Sequence, residues 1–173
     1  MLFERTDFVG LEGYGAPVHV EVIRSTRRRK TVEASVVDGV LRVAIPATMT
    51  LQEEQHWVKV MTSKALRSLT AADIDLPAVA ARLARLHGLP LPREIVWSNR
   101  QQRRWGSCTP TTGRIRISDQ VAGFPAWVLD YVVVHEMAHL VESSHSPSFW
   151  DLVNRYSLAE RARGYLLAKS GGG

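Results

Sequence analysis

The segment from Pro125 to about Ser143 constrains this chain more than any other, because Val128, Leu129, Val132, Val133, Met137, Ala138 and Val141 leave it no polar face. A helix that is apolar all round belongs in an interior, so the rest of the fold must cover it on every side. Yet the same segment carries His135, Glu136 and His139. Ionisable groups taken out of water are costly unless they are paired, hydrogen-bonded or bound to metal. His135-Glu136-Met137-Ala138-His139 matches H-E-x-x-H, in which two histidines four residues apart stand one turn above each other on one helix face. A zinc ion with Zn–N bonds of about 2.0–2.1 Å can reach both rings. Glu136, set back by one residue, is then free to act on water as a general base without being a ligand.

Catalytic zinc usually takes three protein ligands, and His145 is the candidate for the third. It follows His139 by six residues, beyond Ser143-Ser144 and just before a helix start at Ser146-Pro147, so the chain can turn and bring a ring back. The metzincin pattern has the same spacing with a glycine at the bend, but Glu142 stands there and no methionine follows His145. Glu142, three residues after His139, is the alternative third ligand. Asp130 and Glu142 are both candidates for the hydrogen-bond partner that fixes a histidine tautomer.

Around this centre the pattern predicts an α+β chain. Val18, Val20 and Val22, then Val32, Ala34 and Val36, then Leu41, Val43 and Ile45 alternate with polar or small residues, which predicts an N-terminal three-stranded antiparallel sheet. Asp38-Gly39 is a tight-turn pair between the second and third strands. Two helices follow. The first, over 51–69, opens on a Thr50/Glu53 capping box, and the second runs from near Asp75, with Pro77 in its first turn, to Gly88. Residues 93–99 and 114–118 read as strands of a small sheet flanking a loop at Trp105 to Cys108. A zincin-type helix pair carrying the histidines completes the chain. Leu89 to Pro92 marks a seam between an N-terminal strand-and-helix part, 1–88, and a zinc metallopeptidase part, 89–170, the two together forming one unit.

A length of 173 residues with 45% hydrophobic and 23% charged residues suits a folded globular chain. The single cysteine, Cys108, excludes an internal disulfide framework and reads as packing rather than as a nucleophile or ligand. With no segment resembling a secretory signal and no apolar run near 20 residues, the expected location is cytoplasmic, without a membrane anchor. The net charge of +5 makes nucleic acid a candidate partner, through Arg27, Arg28, Arg29 and Lys30 and a second cluster at Arg100, Arg103 and Arg104. Gly171 to Gly173 read as a flexible tail.

Three blocks carry a family resemblance: Arg104-Trp105-Gly106-Ser107-Cys108, Asp130 through Leu140, and His145-Ser146 with Phe149-Trp150. In that order they resemble the YgjP-like metallopeptidase family and, more distantly, the SprT-like and Wss-like metalloproteases. Arg24-Ser25, the basic run and Val43 to Pro46 extend the likeness to the N-terminal part. The resemblance implies a zinc-dependent peptidase fold with His135, His139 and His145 as ligands, and it leaves the substrate open. It also implies that Arg104 to Ser107 presents an edge strand to an extended peptide, with Arg104 and Trp105 lining the cleft. Tyr156, Arg104 and Tyr131 are the candidates for stabilising the oxyanion. Two other readings stay open: a basic nucleic-acid-associated protein with a structural zinc site, and a protease acting on DNA-bound proteins. Glu136 discriminates, since a structural site has no use for an uncoordinated carboxylate.

Overall fold

The computed structural model describes the backbone of residues 2–9 and 18–170, so the reading of Gly171 to Gly173 as a tail lies outside the described residues. The chain is α+β; its described residues form two small sheets, five α-helices and a short 3-10 helix, and it divides into two units, Met1–Leu69 and Thr70–Gly173. No described helix is long and apolar enough to cross a membrane.

In the first unit, β1 (Leu2–Val9), β2 (Val18–Ser25), β3 (Glu33–Val37) and β4 (Val40–Pro46) form a sheet in the order β1-β2-β4-β3. The three expected strands are β2, β3 and β4, but the sheet is mixed, not antiparallel: β2 runs parallel to β4 while β3 and β4 form the hairpin. Alternation tells which residues face the core and says nothing of which neighbour a strand pairs with, so direction was not legible in it. The hairpin itself follows from Asp38 (φ 53°) and Gly39 (φ 77°), two successive positive φ values that a primed turn requires. Val20, Val22, Leu41, Val43 and Ile45 bury their side chains with Val58 of α1 (Leu51–Ala72). The Thr50 hydroxyl accepts from the Glu53 N–H while the Glu53 carboxylate accepts from the Thr50 N–H, closing the capping box at the helix start.

The second unit holds a separate core. α2 (Leu76–His87) is capped by Asp75, whose carboxylate accepts from the Ala78 N–H, and ends at Gly88 in the left-handed region. β5 (Glu94–Ser98), β6 (Gly106–Thr109) and β7 (Arg114–Ser118) pair in the order β5-β7-β6, with β5 parallel and β6 antiparallel to β7. Residues 105–108, expected as a loop, therefore enter a strand on the sheet's edge from Gly106 onward. A four-residue strand with a glycine and a cysteine has no local signature, and only its pairing with Arg114–Ser118 makes it one.

A short 3-10 helix (Asp119–Gly123) leads into α3 (Ala126–Ala138). Val128, Val133, Val134, Met137 and Ala138 are all fully buried, as an apolar-all-round helix demands. β6 and β7 of the sheet, α2, α4 (Pro147–Val153) and α5 (Ala159–Ser170) pack against it. α3 ends sooner than its apolar run suggests, because the residues after His139 turn away.

Candidate metal centre

His135 and His139 project from the last turn of α3, and the loop after it returns His145 to them. The bend is made by Glu142. Its carbonyl accepts a hydrogen bond from His139 Nδ1 at 3.1 Å, and its carboxylate accepts from the Ser144 N–H and hydroxyl at 3.2 and 3.0 Å. Those bonds to Ser144 hold the Glu142 carboxyl below its usual pKa. With Nδ1 of His139 donating to that carbonyl, Nε2 is the nitrogen left with a lone pair. Ser146 then caps α4, accepting from the Phe149 N–H, with Pro147 in the first turn.

The three histidines each offer a nitrogen within 4.8 Å of the others, and among the described residues no cysteine or carboxylate shares the cluster. His135 Nε2 lies 3.2 Å from His145 Nε2. Two imidazole nitrogens on one tetrahedral zinc, with bonds of about 2.0–2.1 Å, stand about 3.3 Å apart, so the side chains are already at the spacing an ion between them needs. Charge agrees with this. Burial, then the neighbouring rings of His139 and His145, push the His135 pKa down to about 3, and burial also lowers that of His139. These two rings are therefore neutral and able to ligate near neutral pH. His135 Nδ1 is buried without a hydrogen-bond partner.

Aromatic rings wall the cluster. Phe149, completely buried, stacks on His139 with centroids 4.4 Å apart and meets His135 and His145 edge-on at 4.9 and 4.7 Å. Trp150 stacks on His145 at 5.6 Å. The capped start of α4 sets both rings: a helix beginning at Pro147, two residues after His145, carries its third and fourth residues back over the imidazoles.

Glu136 is only 6% exposed, and its carboxyl lies against the sheet at Gly106. Burial raises its pKa to about 8, against a smaller downward pull from Arg104. Its carboxyl rests on the α-carbon of Gly106, the first residue of β6. A Cβ built there would stand 2.6 Å from Glu136 Oε1, 2.7 Å from Cγ and 2.9 Å from Cδ. Backbone strain plays no part, and Gly106 is needed for room alone. Gly106→Ala is therefore expected to displace the carboxylate and lower any Glu136-dependent rate by about 10–100-fold, since a misplacement near 1 Å costs on that scale. Rates alongside metal content would check it; an unchanged rate would mean that Glu136 relaxes without consequence.

The remaining candidates scatter. Arg104 and Trp105 line a cavity with Gly106, Tyr131, His135 and Glu136. Tyr131 is buried, and its pKa is pushed up to about 12, chiefly by burial. Tyr156 lies apart, its hydroxyl donating to the Trp127 carbonyl at 3.0 Å. Asp130 accepts from Arg82 at 2.6 Å rather than from a histidine. Cys108, two residues along β6 from Gly106, has its pKa raised to about 11 by burial and then by Glu136, which keeps it a thiol. Among the basic residues of the first unit, Arg28 is paired with Glu33. Gly106, Phe149 and Trp150 were visible in the sequence only as members of the blocks that carry the family resemblance, Phe149 also as part of an apolar helix side; no local signal marked their contacts.

A family model described as a YgjP-like metallopeptidase domain matches residues 15–163. Among solved structures, the chain is similar to the crystal structure of the metallopeptidase zymogen of Pyrococcus abyssi abylysin. The two are 20% identical with a TM-score of 0.48, over 53% of this chain and 91% of that one. No curated protein matches the sequence. The family supports a protein or peptide substrate and gives no support to nucleic-acid binding.

Proposed function

This chain belongs to the YgjP-like metallopeptidase family, and on that premise we propose that it hydrolyses peptide bonds with zinc held by His135, His139 and His145 and with Glu136 as general base. The observation that carries the reading is the convergence of three imidazoles, two of them with nitrogens 3.2 Å apart, beside a buried glutamate outside the cluster. Neutral imidazoles and no thiolate suit zinc, and three protein donors leave a position open. The ion supplies Lewis-acid activation of water and of the scissile carbonyl, and its positive charge favours the ionised form of Glu136.

The chain's own residues do the rest. Glu136 accepts a proton from the attacking water at a carboxylate oxygen and releases it to the leaving amine nitrogen. Gly106 keeps that carboxylate in place by leaving it room. The outer edge of β6 offers backbone N–H and C=O groups to which an extended peptide can pair as an added strand. Such pairing holds main chain irrespective of side chains and runs the substrate past Gly106 and Glu136. Arg104 and Tyr131, which line the cavity there, are the candidates for meeting the developing oxyanion. Phe149 and Trp150 pack against the imidazoles and so help to fix their orientation.

Elemental analysis is expected to find about one zinc per chain, and X-ray absorption a first shell of nitrogen and oxygen near about 2.0–2.1 Å. Chelation should abolish cleavage of a peptide library and added zinc should restore it. Sulfur in the first shell, or a folded chain that takes up no zinc, would overturn the assignment.

A further inference from the structure

Resting on the peptidase reading, we propose that the cavity beside Glu136 is a subsite for a carboxylate carried by the peptide substrate. The cavity has a volume of about 400 Å³, room for one side chain of any size. Its walls combine two chemistries. Trp105, Val132 and Leu166 give it apolar surface, while Arg103, Arg104 and Arg163 bring guanidinium groups to it. An adjoining cavity of about 350 Å³ shares Arg103, Arg104 and Trp105 and adds Lys169. Among the described residues, Glu136 is the one acidic side chain that lines either cavity.

The arginines differ in how far they are already engaged. Arg163 pairs with the exposed Glu160 at 2.6 Å and lies over the Trp150 ring at 4.7 Å. No hydrogen bond or ion pair ties Arg103 or Arg104 to another described residue, and Arg104 acts on Glu136 only through its charge. Two adjacent guanidinium groups with free donors at the mouth of an apolar-walled cavity match a carboxylate at the end of a short hydrocarbon stem. A planar guanidinium binds such a group through two parallel N–H···O bonds, which an amide of the same shape cannot reproduce. Both a glutamate side chain of the substrate and its C-terminal carboxylate have this chemistry.

The test uses matched peptides that carry Glu, Gln or Leu at each position flanking the cleaved bond, each with a free and an amidated C-terminus. Cleavage is measured with the zinc-loaded protein, and binding is measured calorimetrically with zinc-loaded Glu136→Gln. The Glu peptide is expected to exceed its Gln counterpart about tenfold in both, the scale of one charge-assisted hydrogen bond at a partly exposed site. That ratio should fall to near one in Arg103→Gln/Arg104→Gln. If amidation rather than Glu→Gln removes the preference, the carboxylate recognised is the C-terminal one. Equal treatment of Glu and Gln with free and amidated ends alike, or a preference for Leu, would overturn the subsite while leaving hydrolysis intact. Arginine-dependent binding of the Glu peptide without cleavage by the zinc-loaded wild type would leave the subsite standing and remove the peptidase reading.

Discussion

Replacing Glu136 with glutamine is expected to lower peptide hydrolysis by about 10²–10⁴-fold, the usual worth of a positioned general base, with zinc content unchanged. Glutamine keeps the shape that fits against Gly106 but cannot accept a proton from water. kcat/KM on a cleavable peptide, read beside elemental analysis, checks it. Wild-type turnover in the variant would assign the proton to another group and the zinc to another role.

The same substitution carries a signature in the metal-free protein that does not depend on activity. The folded-state pKa of Glu136 is raised from 4.5 to about 8, chiefly by burial. Between those values the folded state holds a proton that the unfolded chain has released. The stability contributed by that proton is complete below pH 4.5 and is lost as pH rises through about 8. A neutral glutamine escapes this loss. Metal-free Glu136→Gln should therefore match the wild type near pH 4.5 and exceed it at pH 8, the gap widening by up to about 1.4 kcal/mol per pH unit within the window. Thermal melts of the pair across that range would show it, and a gap independent of pH would mean that the carboxyl is solvated.

His139→Ala should abolish both zinc binding and hydrolysis. The substitution removes a ligand, and it also removes the ring that stacks on Phe149, leaving space beside a completely buried aromatic. For the wild type, zinc at a thousandfold excess over Kd stabilises the folded state by about 4 kcal/mol, roughly 10 °C in Tm for a chain of this size. That zinc-dependent rise should vanish in His139→Ala and persist in Glu136→Gln, which separates ligand from base. Stoichiometric zinc in the alanine variant would remove His139 from the ligand set.

The contrast between the legible and the hidden parts of this protein follows sequence distance. The hairpin at Asp38-Gly39, the Thr50/Glu53 box, the Asp75 cap, Gly88 and the Ser146-Pro147 start were all readable, because each is a bond or a backbone angle within about four residues. The parallel pairing of β2 with β4 was not, since identical alternation serves either direction. Nor was β6, whose status as a strand comes from β7. Spacing left both Glu142 and Asp130 as partners of a histidine, whereas the fold uses the Glu142 carbonyl and commits the Asp130 carboxylate to Arg82, 48 residues away.

By itself the sequence determined that an apolar helix would be buried with two histidines on one face and a glutamate beside them, because helical periodicity is local and the cost of burying those groups is general. Only the tertiary structure decided what surrounds them. The return of His145 to within 3.2 Å of His135, the room that Gly106 leaves for the Glu136 carboxyl, and the meeting of Arg103 and Arg104 with Arg163 around one cavity all join residues that are distant along the chain or on different elements. Such contacts arise when elements pack as whole bodies, and no residue's own preference encodes where a neighbour from another element will come to rest.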